Sequence, residues 1–149
     1  LDLSQLPKYL PDVTGNFSCS YNNQLTSLKG APQSVGGGVY LDGNDLESLE
    51  GGPQSVGEDF ICSDNQLTSL KGAPQSVGGS FYCDGNHIRT LEGGPQSVGG
   101  WFVCSDNQLT SLKGAPQSVG GSFDCSGNRK RFTEGDVLAV CKVSGTIRR

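Results

Sequence analysis

Six cysteines are the residues of this chain best placed to do chemistry, and four of them keep time: Cys62, Cys83, Cys104 and Cys125 stand 21 residues apart. Zinc is held by ligands paired a few residues apart, as in C-x2-C, and this spacing supplies no such pair. Side chains in register on stacked parallel strands point the same way rather than at each other, which disfavours disulfides. Leu41 fills the slot one interval before Cys62, so the position takes a hydrophobe, and the thiols are expected to be buried, free and metal-free. Free thiols imply a reducing compartment, hence a cytoplasmic location.

The other candidates for chemistry are weaker. His87, the single histidine, occupies a slot that Gln24, Asp45, Gln66, Gln108 and Arg129 fill elsewhere, so it reads as a solvated loop residue rather than a general base. Asp42 and Asp84 share a column but lie two turns apart, roughly 10 Å at the spacing of strands in a sheet. Nothing pairs them for acid–base work. GGSFYCDGN brushes the calcium-binding GGxGxD nonapeptide, with the wrong period. Arg129, Lys130 and Arg131 read as a solvated edge. The expectation is a protein that is not an enzyme and takes no cofactor.

What must position such residues is visible in the repetition itself. CSDNQLTSLKGAPQSVGGSF runs from Cys62 to Phe81 and returns letter for letter from Cys104 to Phe123, and QLTSLKGAPQSVGG appears a third time at Gln24 to Gly37. Verbatim repetition means that successive segments occupy equivalent environments, as they do in a stacked solenoid. Pro32, Pro53, Pro74, Pro95 and Pro116 keep the same 21-residue interval, each opening the word PQSVG. Only the first unit is longer, at 22 residues from Cys19 to Leu41, because CSYNNQL stands where later units have CSDNQL. Hydrophobic residues are only 34% of the chain and glycines number 23. A thick globular core is excluded; a solenoid, which buries a narrow stripe per turn, is not.

Within a unit the pattern is apolar-x-apolar-x-x-Asn-x-apolar-x-x-Leu, as in Phe81, Cys83, Asn86, Ile88 and Leu91. It resembles the leucine-rich repeat, in which a short strand lines one wall and the chain turns at the Asn. The proline and the short period are similar to the bacterial subclass whose outer wall is extended, and the wording NQLTSLKGAP is similar to repeat proteins of tailed phages. The resemblance implies a leucine-rich-repeat solenoid of short parallel β-strands and extended loops, with helix confined to the caps. It covers residues 17–128 as six repeats, with strands near 17–19, 39–41, 60–62, 81–83, 102–104 and 123–125 in a right-handed, curved array. Residues 1–16 read as an N-terminal cap with leucines at 1, 3, 6 and 10. Residues 129–149 read as a C-terminal cap: Thr133 as helix N-cap with Asp136 at N3, then Val137, Leu138, Val140 and Cys141 closing the core, and GTIR as a last strand. Asn23, Asn44, Asn65, Asn86, Asn107 and Asn128 are polar residues set between buried ones, and each must satisfy its amide on the backbone of adjacent turns. Asn86→Ala is thus expected to cost far more than His87→Ala.

Charge narrows the partners. Net charge is −4, with five Lys/Arg against thirteen acids in residues 1–128 and six against two in residues 129–149. The acidic body argues against a nucleic-acid binder. No apolar run approaches the ~20 residues that cross a bilayer, so no membrane partner is expected. Lys29, Glu50, Lys71, Glu92 and Lys113 form a column of alternating sign, suited to register and solubility. On the strand wall, the outward positions Ser18, Tyr40, Ile61, Tyr82, Val103 and Asp124 vary while the frame stays constant, with Trp101 beside them. Tyr40, Ile61, Tyr82, Trp101 and Val103 are therefore the candidate binding residues, for another protein or for a second copy. PQSV intact in five units is equally what an engineered or consensus repeat scaffold without a natural ligand would show.

Overall fold

The computed structural model describes residues 4–149; Leu1 and Leu3, expected in the N-terminal cap, lie outside them. The chain is a parallel β-solenoid of about six turns, with a leucine-rich-repeat-like layout and 3% helix. Each turn lays down two strands of two residues. The first set, β1 (Phe17–Ser18), β3 (Val39–Tyr40), β5 (Phe60–Ile61), β7 (Phe81–Tyr82), β9 (Phe102–Val103), β11 (Phe123–Asp124) and β13 (Ile147–Arg148), forms a seven-stranded sheet. The second set, β2 (Ser34–Val35), β4 (Ser55–Val56), β6 (Ser76–Val77), β8 (Ser97–Val98), β10 (Ser118–Val119) and β12 (Lys142–Val143), forms a six-stranded sheet. The seven-stranded wall follows the expected places. The opposite wall, expected to be merely extended, pairs rung to rung as a sheet of its own.

Period-two alternation turns Phe and Cys of each Phe-x-Cys inward. The parallel register sets Phe60, Phe81, Phe102 and Phe123 above one another. Their ring centroids stand 5.3, 5.8 and 5.2 Å apart, the first two pairs stacked and the last tilted. The stripe of leucines after each Asn and the valines of the second sheet complete one continuous core. In the second sheet the backbones of successive turns close up at a glycine: a Cβ on Gly99 would stand 2.0 Å from the Gly78 carbonyl oxygen. Any side chain there would force two turns apart.

The chain turns on its asparagines. Asn86 accepts the Leu67 N–H at 3.0 Å through Oδ1, and its Nδ2 donates to the carbonyls of Cys62, Cys83 and Asp84. Asn65 and Asn107 repeat the arrangement while buried, and half-buried Asn128 does so at the last turn. Asn23 stands apart: it is exposed, with φ at +51°. The extra residue of the first unit is the cause. By the equivalence of Leu46 with Asn65, the Leu25 N–H is the one that would complete the Asn44 position; that bond is not made, and Asn44 Oδ1 is left buried without a hydrogen-bond partner. From the second turn on, the ladder runs Asn44, Asn65, Asn86, Asn107, Asn128.

That defect has a repair. Tyr21 is 74% exposed and holds φ at +53°, a conformation costly for a bulky side chain. Deleting Tyr21 turns CSYNNQL into CSNNQL, which matches the later CSDNQL frame with Asn22 in the left-handed slot that Asp64 and Asp106 occupy. The deletion is expected to raise stability by about 1–3 kcal/mol, the cost of the stranded acceptor it pairs. Chemical denaturation of the two proteins checks it; an unchanged or lower midpoint means the insertion is accommodated at no cost.

At the far end, α1 (Glu134–Leu138) begins with the expected capping box, Thr133 and Asp136 exchanging bonds of 3.1 and 2.8 Å. Val137 and Cys141 are buried, but Leu138 and Val140 are not, being 54% and 43% exposed. A one-turn helix has a single inward stripe, and only residues four apart fit it.

Candidate functional site

The outward face of the seven-stranded sheet is organised in columns, because every turn repeats the same register. The middle-of-strand column runs Ser18, Tyr40, Ile61, Tyr82, Val103, Asp124, Arg148. Two residues along, Ser20, Asp42, Ser63 and Asp84 alternate before Ser105 and Ser126, and the alternating pairs hydrogen-bond across turns: Ser20 Oγ donates to Asp42 at 2.5 Å and Ser63 Oγ to Asp84 at 2.6 Å. The next column alternates Asp64 and Asp106 with Gly85 and Gly127, all with positive φ. A Cβ on Gly85 would lie 2.3 Å from the Asp64 carboxylate oxygen. The aspartate leans over the glycine of the next turn, which is why the two residues alternate.

These columns line an open groove of about 540 Å3 formed by Ser18, Ser20, Tyr21, Tyr40, Asp42, Ile61, Ser63, Asp64, Tyr82 and Asp84, room enough for a few side chains rather than one ion. Tyr21 joins it beside Asp42, whose carboxylate raises the phenol above its ordinary titration range. Tyr21 was not among the expected binding residues, and its only sequence signal was its place in the one irregular unit.

Of the five expected binding residues, the structure brings Tyr40, Ile61 and Tyr82 together in the groove, half-buried. The Tyr40 ring folds back over Gly38, where a Cβ would meet the phenol oxygen at 2.6 Å. Val103 is 9% exposed, contrary to the outward patch expected, since a small side chain set in register between Tyr82 and Asp124 is overshadowed by both. Trp101 is 43% exposed and lies outside the groove lining. Its ring sits over Gly121, and the Arg148 guanidinium lies 5.9 Å from its centroid.

The remaining polar columns hold themselves together. Glu50 pairs with Lys71 at 2.9 Å and Glu92 with Lys113 at 3.0 Å. The alternating column thus resolves into separate exposed pairs, each of which contributes only ~0–1 kcal/mol. His87 is exposed and bridges Gln66 at 3.0 Å and Gln108 at 3.3 Å, with Arg129 donating to Gln108. It is a rung in a polar ladder on the surface. The six cysteines are free thiols. Sγ of Cys62 donates to the Tyr82 carbonyl at 3.3 Å and that of Cys83 to the Val103 carbonyl at 3.4 Å. Burial drives the pKa of Cys62, Cys83 and Cys104 well above the ordinary thiol value. A thiol held neutral is a poor nucleophile and a poor metal ligand. Among the described residues no group of three or more His, Cys, Asp or Glu is placed to hold a metal ion, and no helix is long and apolar enough to cross a membrane.

No protein-family model matches the chain, and neither the curated proteins nor the solved structures contain a match to it.

Proposed function

We propose that this chain is a non-enzymatic binding module of the leucine-rich-repeat kind, offering its seven-stranded wall to a protein partner in a reducing, cytoplasmic setting. The observation that carries the reading is the groove across the first four turns. There Tyr21, Tyr40, Ile61 and Tyr82 line an open surface whose frame is otherwise invariant. A solenoid needs the inward Phe, Cys, Leu and Asn of every turn. It does not need large aromatic groups in its outward column, where Ser18 serves as well. Aromatic side chains supply rigid contact area at small entropic cost and dominate the energy of interfaces.

The test is the double variant Tyr82→Ser/Trp101→Ser, with partner binding measured by titration and self-association by sedimentation. Serine stands at the equivalent positions Ser18 and Ser80, so the melting temperature should hold. Loss of a central aromatic anchor is expected to cost about 2 kcal/mol or more of binding energy. Association that persists unchanged removes the wall from consideration and passes the role to the other faces.

A further inference from the structure

We infer that the groove takes an arginine-bearing, extended polypeptide segment of a partner protein, with guanidinium groups lying over its tyrosines and paired to its aspartates. The inference rests on the wall being the binding face and adds the chemistry of what binds there. Three observations converge on it. From the first turn to the sixth, every charged residue in the three outward columns is a carboxylate: Asp42, Asp64, Asp84, Asp106 and Asp124. Their neighbours in the groove are tyrosines, whose ring faces attract cations, and guanidinium more readily than ammonium because it is planar and weakly hydrated.

The third observation is that the chain already makes this contact once. Arg148 occupies the middle-of-strand column in register with Asp124, and its guanidinium lies over the Trp101 ring. At the last turn the wall is thus met by a cation of its own, on an aromatic face with a carboxylate in the adjacent rung. Tyr40 with Asp42 and Tyr82 with Asp84 offer the same pairing of ring and acid two turns apart, lining the groove. Asp42 and Asp84 are held in place by the serine hydroxyls of the preceding turns, and each carboxylate accepts more bonds than those hydroxyls supply. An extended peptide turns alternate side chains to one side, so arginine at every second residue presents a row of guanidinium groups to the wall.

The experiment is a fluorescence-anisotropy titration of the full chain with a labelled peptide of alternating Arg and Ser, against the same peptide with citrulline for arginine. Citrulline keeps the shape and removes the charge. The arginine peptide is expected to bind roughly tenfold more tightly at low ionic strength, the preference shrinking as salt screens the groove. Asp42→Asn with Asp84→Asn should remove the preference while leaving the melting temperature in place. Equal binding of the two peptides overturns the inference, as does an Asn variant that still prefers arginine. Either result leaves the wall itself standing if Tyr82→Ser/Trp101→Ser still abolishes association with a neutral partner. Sedimentation without peptide covers the remaining occupant. Self-association at low salt that the Asn variant loses and the peptide fails to displace assigns the groove to the basic end of a second copy, and overturns the inference too.

Discussion

Raising the pH above about 9 is expected to unfold this protein steeply, through thiols rather than lysines. Cys62, Cys83 and Cys104 are fully buried, and the first cause of their raised pKa is desolvation. Each therefore stays protonated in the folded chain at a pH where the unfolded chain has released its proton. The stability that neutral burial confers is complete below the ordinary thiol value of 9.0 and is lost as pH rises toward the folded value. Each such thiol costs about 1.4 kcal/mol per pH unit over that window, so three together cost about 4 kcal/mol per unit. Cys125 and Cys141, pushed up to about 11, add a smaller share between pH 9 and 11. Denaturant midpoints measured in reductant from pH 8 upward check this, with Cys104→Ala as the internal control. The variant starts less stable but should lose stability less steeply, by one thiol's worth. Parallel slopes would show that groups other than the thiols drive the transition.

The same column shows how much of the structure was legible beforehand. The 21-residue return of Cys62, Cys83, Cys104 and Cys125, with Leu41 in the same slot, sufficed to read stacked turns and inward thiols, because an exact period has few other physical causes. The Thr133–Asp136 cap was readable for a similar reason, since its two residues act locally. The second sheet was not. Ser-Val between Pro-Gln and Gly-Gly is too short to show alternation, and its pairing depends on glycines such as Gly99, whose necessity appears only once the turn behind is in place. The binding wall lies between these cases. Which residues share a column followed from the period, but exposure depends on neighbours one turn away. Val103 was lost beneath Tyr82 and Asp124 in that way, and Tyr21 was gained. Asn23 precedes Gln-Leu as its counterparts do, and a count from the leucine places it in the ladder. The inserted residue breaks that correspondence on the cysteine side, and counting from the leucine alone conceals it.

The ladder offers the sharpest test of how the turns are held. Replacing Asn86 by Ala removes the acceptor of the buried Leu67 N–H. It also withdraws a donor from the carbonyls of Cys62 and Cys83, but those keep the amides of Asn65 and Asn107 respectively. The Asp84 carbonyl likewise keeps the Asp64 N–H. One group is thus stranded outright, at about 1–3 kcal/mol, and the three lost shared bonds add about 0.5–1.5 kcal/mol each, for about 2.5–7.5 kcal/mol in all. His87→Ala, next along the chain, gives up only exposed bonds and should be nearly silent. Asn44→Ala falls between. Its Nδ2 bonds to the Cys19 and Leu41 carbonyls are lost, but its Oδ1 serves no donor, so no N–H is stranded. The gap between Asn86→Ala and Asn44→Ala should therefore approximate the cost of one orphaned N–H plus one shared bond. Deleting Tyr21 should remove the N–H part of it: with the Leu25 N–H brought onto Asn44 Oδ1, Asn44→Ala in that background becomes nearly as damaging as Asn86→Ala. Denaturant midpoints for the four proteins of that cycle measure the coupling directly. Additive effects would show that the first turn holds itself together by some means other than the asparagine.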